Sequence, residues 1–362
     1  MIVLVGAGHA NLQVLERAWR DKWPEGALTL ITPYPEAQYS AMLPSVIAGF
    51  VPAEESRIPL ARLCWRAGAT LLLDRVASID TRQQQVRLAS GKSVGYEWCS
   101  LNVGSTPAGL DVPGALAHSI AARPLDTLAR RVGSAWLGES STIAVVGGGP
   151  AAVELALALK RRYGNNTLLY ESNDRLLPTL PPRAGRLAEA VLQASGVEVC
   201  VGFRVEQVQP GGLHAGKKFQ AADLVLWSTG PAAPQWLLRS DLDCDDKGYV
   251  LVKPTLQTVT SERVFAVGDC ASLLGRTLPK SGVYSVRMGE VLAENLRAAL
   301  YKKTYKKAFK TYSPQRRSLT LISLANGSAI GAYGRLAWSG GWSFRWKMRL
   351  DRAWMRRFTE GV

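Results

Sequence analysis

Short apolar runs that end in glycine, each followed by a segment with apolar residues at helical spacing, recur along this chain. IVLV at residues 2–5 runs into Gly6-Ala7-Gly8 and then into 12–19, which reads as a helix, with 27–32 (ALTLIT) as the next strand. The same order returns later: IAVV from Ile143, the turn Gly147-Gly148-Gly149, a helical run, and a strand at 167–171 (TLLYE). Residues 71–79, 85–88 and 97–102 alternate as strands do, and 264–269 (VFAVGD) is an apolar strand closing in Gly268-Asp269. A helix is predicted over 283–300 and another over 342–358. Strands alternating with helical runs predict an α/β chain built on parallel sheets, with two Rossmann-like units.

Each glycine turn has a physical meaning. The first glycine (Gly6, Gly147) permits the tight turn, and the second (Gly8, Gly149) lets backbone N–H groups approach a pyrophosphate at a helix N-terminus. The third glycine is absent twice, replaced by Asn11 and Ala152. Alanine is tolerable on size; asparagine implies either a wider helix–strand spacing or a side-chain contact to the ligand. The first unit also lacks an acid at the end of its second strand, where Thr32-Pro33 stands. In the second unit Glu171 falls where a carboxylate accepts the ribose 2′-hydroxyl of NADH, although a bland strand-end surface acid would look the same. Arg175, four residues on, leaves use of NADPH open. Two small-residue turns, Asn102-Val103-Gly104-Ser105 and Ser228-Thr229-Gly230, each follow a strand, one per unit, as an internal duplication would place them.

Charge changes the picture at one end. The net charge is +15, and from Tyr301 onward 14 Lys or Arg face two acids, Asp351 and Glu360, so the first 300 residues are close to neutral. Five dispersed cysteines form no C-x-x-C pair, which argues against a redox dithiol or zinc ribbon and fits a reducing cytoplasm. The three histidines are not spaced as metal ligands, and His118 and His214 read as loop residues. No basic segment precedes the strand at Ile2, so no secretory signal is expected, and no apolar run is long enough to span a membrane.

Taken in order, the two glycine turns, the two small-residue turns, VFAVGDCA and LPKSGVYSVRMGEVLAENL resemble the flavoproteins of the pyridine nucleotide-disulfide oxidoreductase superfamily. More narrowly the chain resembles the NADH dehydrogenase-like members: type II NADH:quinone oxidoreductases and the oxidoreductase module fused to some selenide, water dikinases. GAGHANLQVL, YSAMLPSVIAGF and RWKMRLDRAWMRRF point to the latter branch. The resemblance covers essentially the whole chain. It implies a discontinuous FAD domain (1–113 and 235–300), an inserted NAD(P)H domain (114–234) and a C-terminal extension (301–362). It implies that Gly6, Gly8, His9, Ala10 and Asn11 hold the FAD pyrophosphate, lined by Asn102, Gly104 and Ser105. Gly268 and Asp269 would serve the ribityl chain, the alternative for Asp269 being a helix cap. Pro44 would lie against the isoalloxazine, and Lys280, Gly282 and Val283 would face its pyrimidine edge, Lys280 being otherwise a solvated loop lysine. Gly147, Gly149, Pro150, Ala151, Glu171 and Gly230 would take NADH. Glu154 is implied near the nicotinamide as a proton-handling group, if burial raises its pKa; an ordinary carboxylate in a first helical turn is the other reading. Branches that need paired cysteines are disfavoured. The family often carries glutamine where Met288 follows Arg287, so neither residue is assigned to a quinone.

The activity implied is NADH oxidation, hydride passing to flavin N5 and two electrons then going to an acceptor, with a membrane quinone first in order. A soluble selenium, sulfur or protein acceptor is the alternative, and a non-catalytic nucleotide-sensing or nucleic-acid-binding protein is a third, the last disfavoured. In the predicted C-terminal helix Trp342, Trp346, Leu350, Trp354 and Phe358 follow at steps of four along one side, and Arg345, Arg349, Arg352 and Arg356 form an arc beside them. Such a helix suits a lipid interface on the inner face of the cytoplasmic membrane, with Lys347 and Arg357 snorkelling from the apolar side. Packing on the flavin domain or on a second subunit, as in a homodimer, is the competing reading. YKKTYKKAFK from Tyr301 would add to lipid attraction or form a solvated face.

Overall fold

The computed structural model describes residues 1–124, 128, 131, 137, 140–164, 166–216, 218–301 and 308–359. Ile2–Val5 is buried along its whole length and pairs in parallel with Leu28–Thr32 on one side and Trp98–Leu101 on the other. Thr70–Leu73 extends the sheet at one edge and Val264–Ala266 at the other. A central parallel strand is covered on both faces, which is why IVLV has no polar alternation. Between Trp98–Leu101 and Val264–Ala266 the chain builds a second five-stranded parallel sheet in the order Ile120–Ala121, Leu224–Trp227, Thr142–Val146, Asn166–Glu171, Val197–Val201. The two small-residue turns meet: Thr106–Pro107 pairs antiparallel with Pro231–Ala232 and joins the two sheets.

Helices follow the glycine turns as expected, His9–Arg20 after the first and Pro150–Tyr163 after the second. His9–Arg20 packs on Gly282–Leu300 with close backbone approach, since a Cβ at Gly289 would lie 2.9 Å from Ala10 Cα. The predicted strand over 71–79 breaks at Asp74-Arg75. Thr70–Leu73 stays in the parallel sheet, while Val76–Asp80 turns away to pair antiparallel with Gln85–Leu88. Similarly the strand predicted over 264–269 ends at Ala266, because Gly268 takes φ +72° and opens a 3-10 turn over Gly268–Cys270. His118 ends the short helix Ala115–His118 and His214 lies in the strand Gly212–Ala215, so neither is a loop residue.

Past residue 308 the chain forms an antiparallel sheet of Leu319–Ser323, Ala329–Tyr333 and Leu336–Gly340, then the helix Gly341–Thr359. This segment bridges two cores. Ile322, Leu324, Ile330 and Ala337 pack with Leu155, Leu157 and Leu192 beside the second sheet. Met348, Trp354, Met355 and Phe358 join the core of the first. The continuous lipid-facing stripe expected of the final helix is therefore corrected. Trp354 and Phe358 are 8% and 3% exposed, whereas Trp342, Trp346 and Leu350 are 50%, 38% and 46% exposed. Tertiary packing claims the aromatic residues of the second half, where Trp354 and Phe358 enter the first core and Arg357 reaches Glu16 of the first helix, so of the stripe only Trp342, Trp346 and Leu350 face solvent. Lys347 does not snorkel: it is buried in an ion pair with Asp351 at 2.8 Å. Most of YKKTYKKAFK lies outside the described residues.

Candidate functional site

A cleft of about 550 Å³ opens at the carboxyl ends of the first sheet, where ligands of such folds bind. Its floor is the first glycine turn. Gly6 has φ +86°, and a Cβ there would stand 2.6 Å from Asn102 O. Asn102 is the hub of this floor. Its Oδ1 accepts the N–H groups of Ala10 and Asn11 at 2.9 and 3.2 Å, capping the first helix, while its Nδ2 donates to Val267 O at 3.0 Å. The N–H groups of Ala7, Gly8 and His9 keep no protein acceptor among the described residues, so three donors at a helix N-terminus face the cleft. That set fits a pyrophosphate.

Asn11 turns the other way. Its Nδ2 donates to Gly6 O at 2.8 Å and Val5 O at 3.1 Å, and its Oδ1 accepts the Ser100 hydroxyl at 2.7 Å. It is fully buried and ties helix to sheet, filling with hydrogen bonds the space a third glycine would leave.

At the far wall Asp269 Oδ2 pairs with Arg123 Nη1 at 3.1 Å and lies 3.4 Å from Ser105 Oγ. Arg123 carried no sequence signal: it stands outside every motif, and only the fold brings it to Asp269. Gly104, Ser105 and Gly282 line the cleft with Asp269, and so does Glu36, a carboxylate four residues past the strand that ends in Thr32. His9, Tyr39 and Trp354 form an aromatic group on the same wall, the His9 ring 5.6 Å from each of the others. Burial holds the His9 imidazole below its usual range despite the opposing Asp269 charge, so it is neutral at pH 7. Lys280 stands back from the wall, donating to Ala271 O with its ammonium 3.8 Å over the Tyr249 ring. Burial lowers its pKa. Pro44 is buried in the helix Leu43–Ile47, and Val283 is exposed at the start of Gly282–Leu300. Met288, left unassigned above, accepts the Gly268 N–H on its sulfur at 3.2 Å and so braces the turn before Asp269.

The second turn repeats the first with a different partner. Gly147 takes φ +119°, a Cβ at Gly148 would stand 2.6 Å from Glu171 Oε2, and Gly149 faces open space, with Pro150 and Ala151 beginning the helix. Glu171 is buried and its Oε1 accepts the Asn173 N–H at 2.7 Å, which leaves Oε2 beside the turn. Arg175 donates to Leu177 O at 3.1 Å, Pro178 O at 2.7 Å and Leu180 O at 3.2 Å. Its guanidinium is thus committed to closing its own loop. Gly230 lies in the connecting ribbon, its carbonyl accepting the Ala108 N–H.

Between the two sheets, under the C-terminal helix, lies a polar cluster that sequence spacing did not reveal. Glu154, partly buried in the helix after the second turn, accepts the Ser323 N–H at 2.7 Å. Lost water contact pushes its pKa up to about 7, with Lys347 pulling it down and Asp351 pushing it up. Lys347 donates to Ala41 O at 2.6 Å and to Asp351 Oδ2 at 2.8 Å, and the Tyr39 hydroxyl donates to Asp351 Oδ1 at 3.1 Å.

The family model described as pyridine nucleotide-disulphide oxidoreductase matches residues 1–289. The chain belongs to that family. It is an oxidoreductase of the FAD and pyridine-nucleotide type. It is 24% identical over 317 residues to the NADH dehydrogenase-like protein YutJ of Bacillus subtilis, covering 87% of this chain and 86% of that one. To the type II NADH:quinone oxidoreductase of Haemophilus influenzae it is 31% identical over 210 residues, spanning 52% of this chain and 46% of that protein. The structure of NDH2 from Plasmodium falciparum in complex with NADH superposes with a TM-score of 0.77 at 13% identity, covering 97% of each chain, which establishes a shared fold.

Proposed function

We propose that this oxidoreductase carries two electrons from NADH through FAD to a membrane quinone. The observation that carries this reading is the double face of the C-terminal helix. Its Trp354 walls the first cleft, while at its opposite end exposed Trp342 and Trp346 stack at 6.2 Å beside exposed Arg345 and Arg349, Trp342 also stacking at 5.9 Å on half-buried Trp338 of the preceding strand. Indoles with neighbouring cations suit a headgroup region with anionic lipid, so one helix would join an electron-transfer cleft to a lipid surface.

In this reading the domains divide as 1–113 with 235–300, 114–234, and 301–362. The donors of Ala7, Gly8 and His9 hold the FAD pyrophosphate, Asp269 with Arg123 and Ser105 orients its polyol chain, and the apolar walls exclude water. The second turn and Glu171 hold NADH. Bound FAD supplies the chemistry that accepts hydride and releases electrons in pairs. Reducing a quinone to a quinol takes two electrons and two protons; NADH brings both electrons and one proton, and solvent brings the other. Glu154 is the group we assign to hold that second proton, since a carboxyl near neutrality is half protonated at working pH.

The test is an anaerobic NADH titration of the purified protein followed by a panel of acceptors with and without anionic vesicles. Bleaching of bound flavin and quinone turnover raised by vesicles are expected. A folded, colourless protein overturns the flavin assignment for this chain, and turnover confined to soluble acceptors overturns the quinone.

A further inference from the structure

The chain crosses from the first sheet to the second and back through one short ribbon, the antiparallel pair Thr106–Pro107 and Pro231–Ala232. Toward the second sheet the ribbon is tied down at Ala108 O, which accepts Trp227 Nε1 at 2.8 Å and the Thr229 hydroxyl at 2.5 Å. Toward the first cleft it meets Tyr249, whose hydroxyl donates to Pro231 O at 2.8 Å. Tyr249 is 4% exposed, and burial, together with the Asp269 and Asp245 charges, holds its phenol above the usual range, so the donor keeps its proton. The face of its ring is taken as well: the Lys280 ammonium lies 3.8 Å from the ring centre and donates to Ala271 O, two residues past Asp269. Asp245 Oδ1 accepts the Tyr249 N–H at 2.9 Å and fixes the backbone that aims the ring. One side chain thus touches the ribbon with its hydroxyl and, through Lys280, the strand beyond Asp269 with its face.

We propose that Tyr249 is a positioning residue that sets the second glycine-turn unit against the first cleft. This rests on the assignment of FAD to the first turn and NADH to the second. Ser105, next to Thr106 of the ribbon, lies 3.4 Å from Asp269, and Arg123, which follows the strand Ile120–Ala121 of the second sheet, pairs with Asp269 at 3.1 Å. A ribbon displaced at Pro231 therefore disturbs both groups that hold Asp269, and it changes the angle at which the second unit meets the cleft. Hydride transfer needs donor and acceptor in contact, and a misplacement of about 1 Å costs up to about a hundredfold in rate. The second unit stays attached without the Tyr249 hydroxyl, because Arg161 Nε donates to Ala48 O at 3.2 Å and the segment past residue 308 packs on both cores. The hydroxyl governs alignment rather than attachment.

The experiment compares Tyr249→Phe, which removes the hydroxyl and keeps the ring under Lys280, with Lys280→Met and Lys280→Arg. Hydrogen exchange at the Ala108 N–H, which donates to Gly230 O at 2.7 Å, is followed by mass spectrometry on the FAD-loaded protein without NADH. Anaerobic stopped-flow then gives the limiting rate of flavin reduction and the NADH concentration at half that rate. Tyr249→Phe is expected to raise Ala108 exchange about threefold or more and to lower the limiting rate about tenfold. Half-saturation stays within about twofold of the parent, because Glu171 and the second turn move together with their unit. Lys280→Met shows the same pattern in weaker form, and Lys280→Arg, which keeps a cation over the ring, restores the parent's values. Exchange and limiting rate both at the parent's level in Tyr249→Phe overturn the proposal, and so does raised exchange with an unchanged rate. A merely structural contact predicts lower thermal stability with no split between rate and half-saturation. Parent flavin that NADH does not reduce overturns the nucleotide assignment instead, a failure seen before any variant is made. Should Tyr249→Phe not take up flavin, the lysine pair decides: a rate lowered in Lys280→Met and restored in Lys280→Arg sustains the proposal, and equal rates overturn it.

Discussion

A Cβ at Gly8 would stand 2.3 Å from Oδ1 of Asn102, a residue 94 positions later in the chain. The same oxygen caps the first helix, so the space that glycine leaves is filled by the group that aims the free N–H donors. Gly8→Ala displaces Asn102 and is expected to lower flavin occupancy on purification by at least about tenfold, read as the ratio of flavin to protein absorbance. Asn102→Ala leaves room but removes the cap, and should cost about 1–2 kcal/mol in urea unfolding.

Asn11→Gly would restore the strict glycine pattern, and the structure predicts that it destabilises. It strips the Ser100 hydroxyl and the Gly6 and Val5 carbonyls of their buried partner. A loss of roughly 2–3 kcal/mol in chemical denaturation is expected, and a variant as stable as the parent would contradict the strut role.

Nucleotide choice is expected to rest on Glu171 rather than on Arg175. Glu171→Ala should raise KM for NADH by about tenfold, the worth of one hydrogen bond to a charged group. Because Arg175 is bound to the carbonyls of Leu177, Pro178 and Leu180, it is not expected to serve NADPH. Steady-state kinetics with both nucleotides checks this; an Arg175→Ala variant that folds normally yet loses NADPH turnover selectively would refute it.

Glu154 makes stability depend on pH. Its pKa rises from 4.5 to about 7 on folding, so between those values the folded chain keeps a proton that the unfolded chain releases. The stabilising contribution is present below 4.5 and is lost as pH rises through 7. Glu154→Gln removes this dependence. The variant should gain on the parent between about pH 5 and pH 8, by up to roughly 3 kcal/mol. Thermal melts across that range measure the difference, and a gap independent of pH would reject the assignment.

The last helix should divide by function. Trp342→Ser with Trp346→Ser is expected to weaken binding to anionic vesicles by about tenfold or more, because two half-exposed indoles lose their apolar area, while flavin content stays at the parent level. Trp354→Ala should do the reverse, costing about 3 kcal/mol of stability and part of the flavin. Vesicle co-sedimentation and flavin absorbance separate the two.

Much of this was legible along the chain. The strand, glycine turn and helix order emerged because apolar runs and glycine dihedrals act over a few residues; Gly6, Gly8 and Gly147 stand in the turns, and Glu171 at the strand end, where spacing put them. Arg123 was invisible, since nothing local marks an arginine that meets Asp269 from 146 residues away. The same holds for Met288, whose sulfur accepts the Gly268 N–H.

The repeated α/β pattern, the family resemblance, the two glycine turns and the basic, aromatic end are all present in the order of residues. The pattern and the turns follow from short-range backbone chemistry, the charged end from composition, and the family from the resemblance of the motifs taken in order. Tertiary structure alone decided which polar groups remain free for ligands. Asn11 and Arg175 look available in the sequence and are consumed by the protein's own carbonyls, while Lys347, expected at a lipid surface, lies buried on Asp351. The reason is that a buried polar group must find a partner, and the partner it finds depends on which distant segments the fold brings within three ångströms or so.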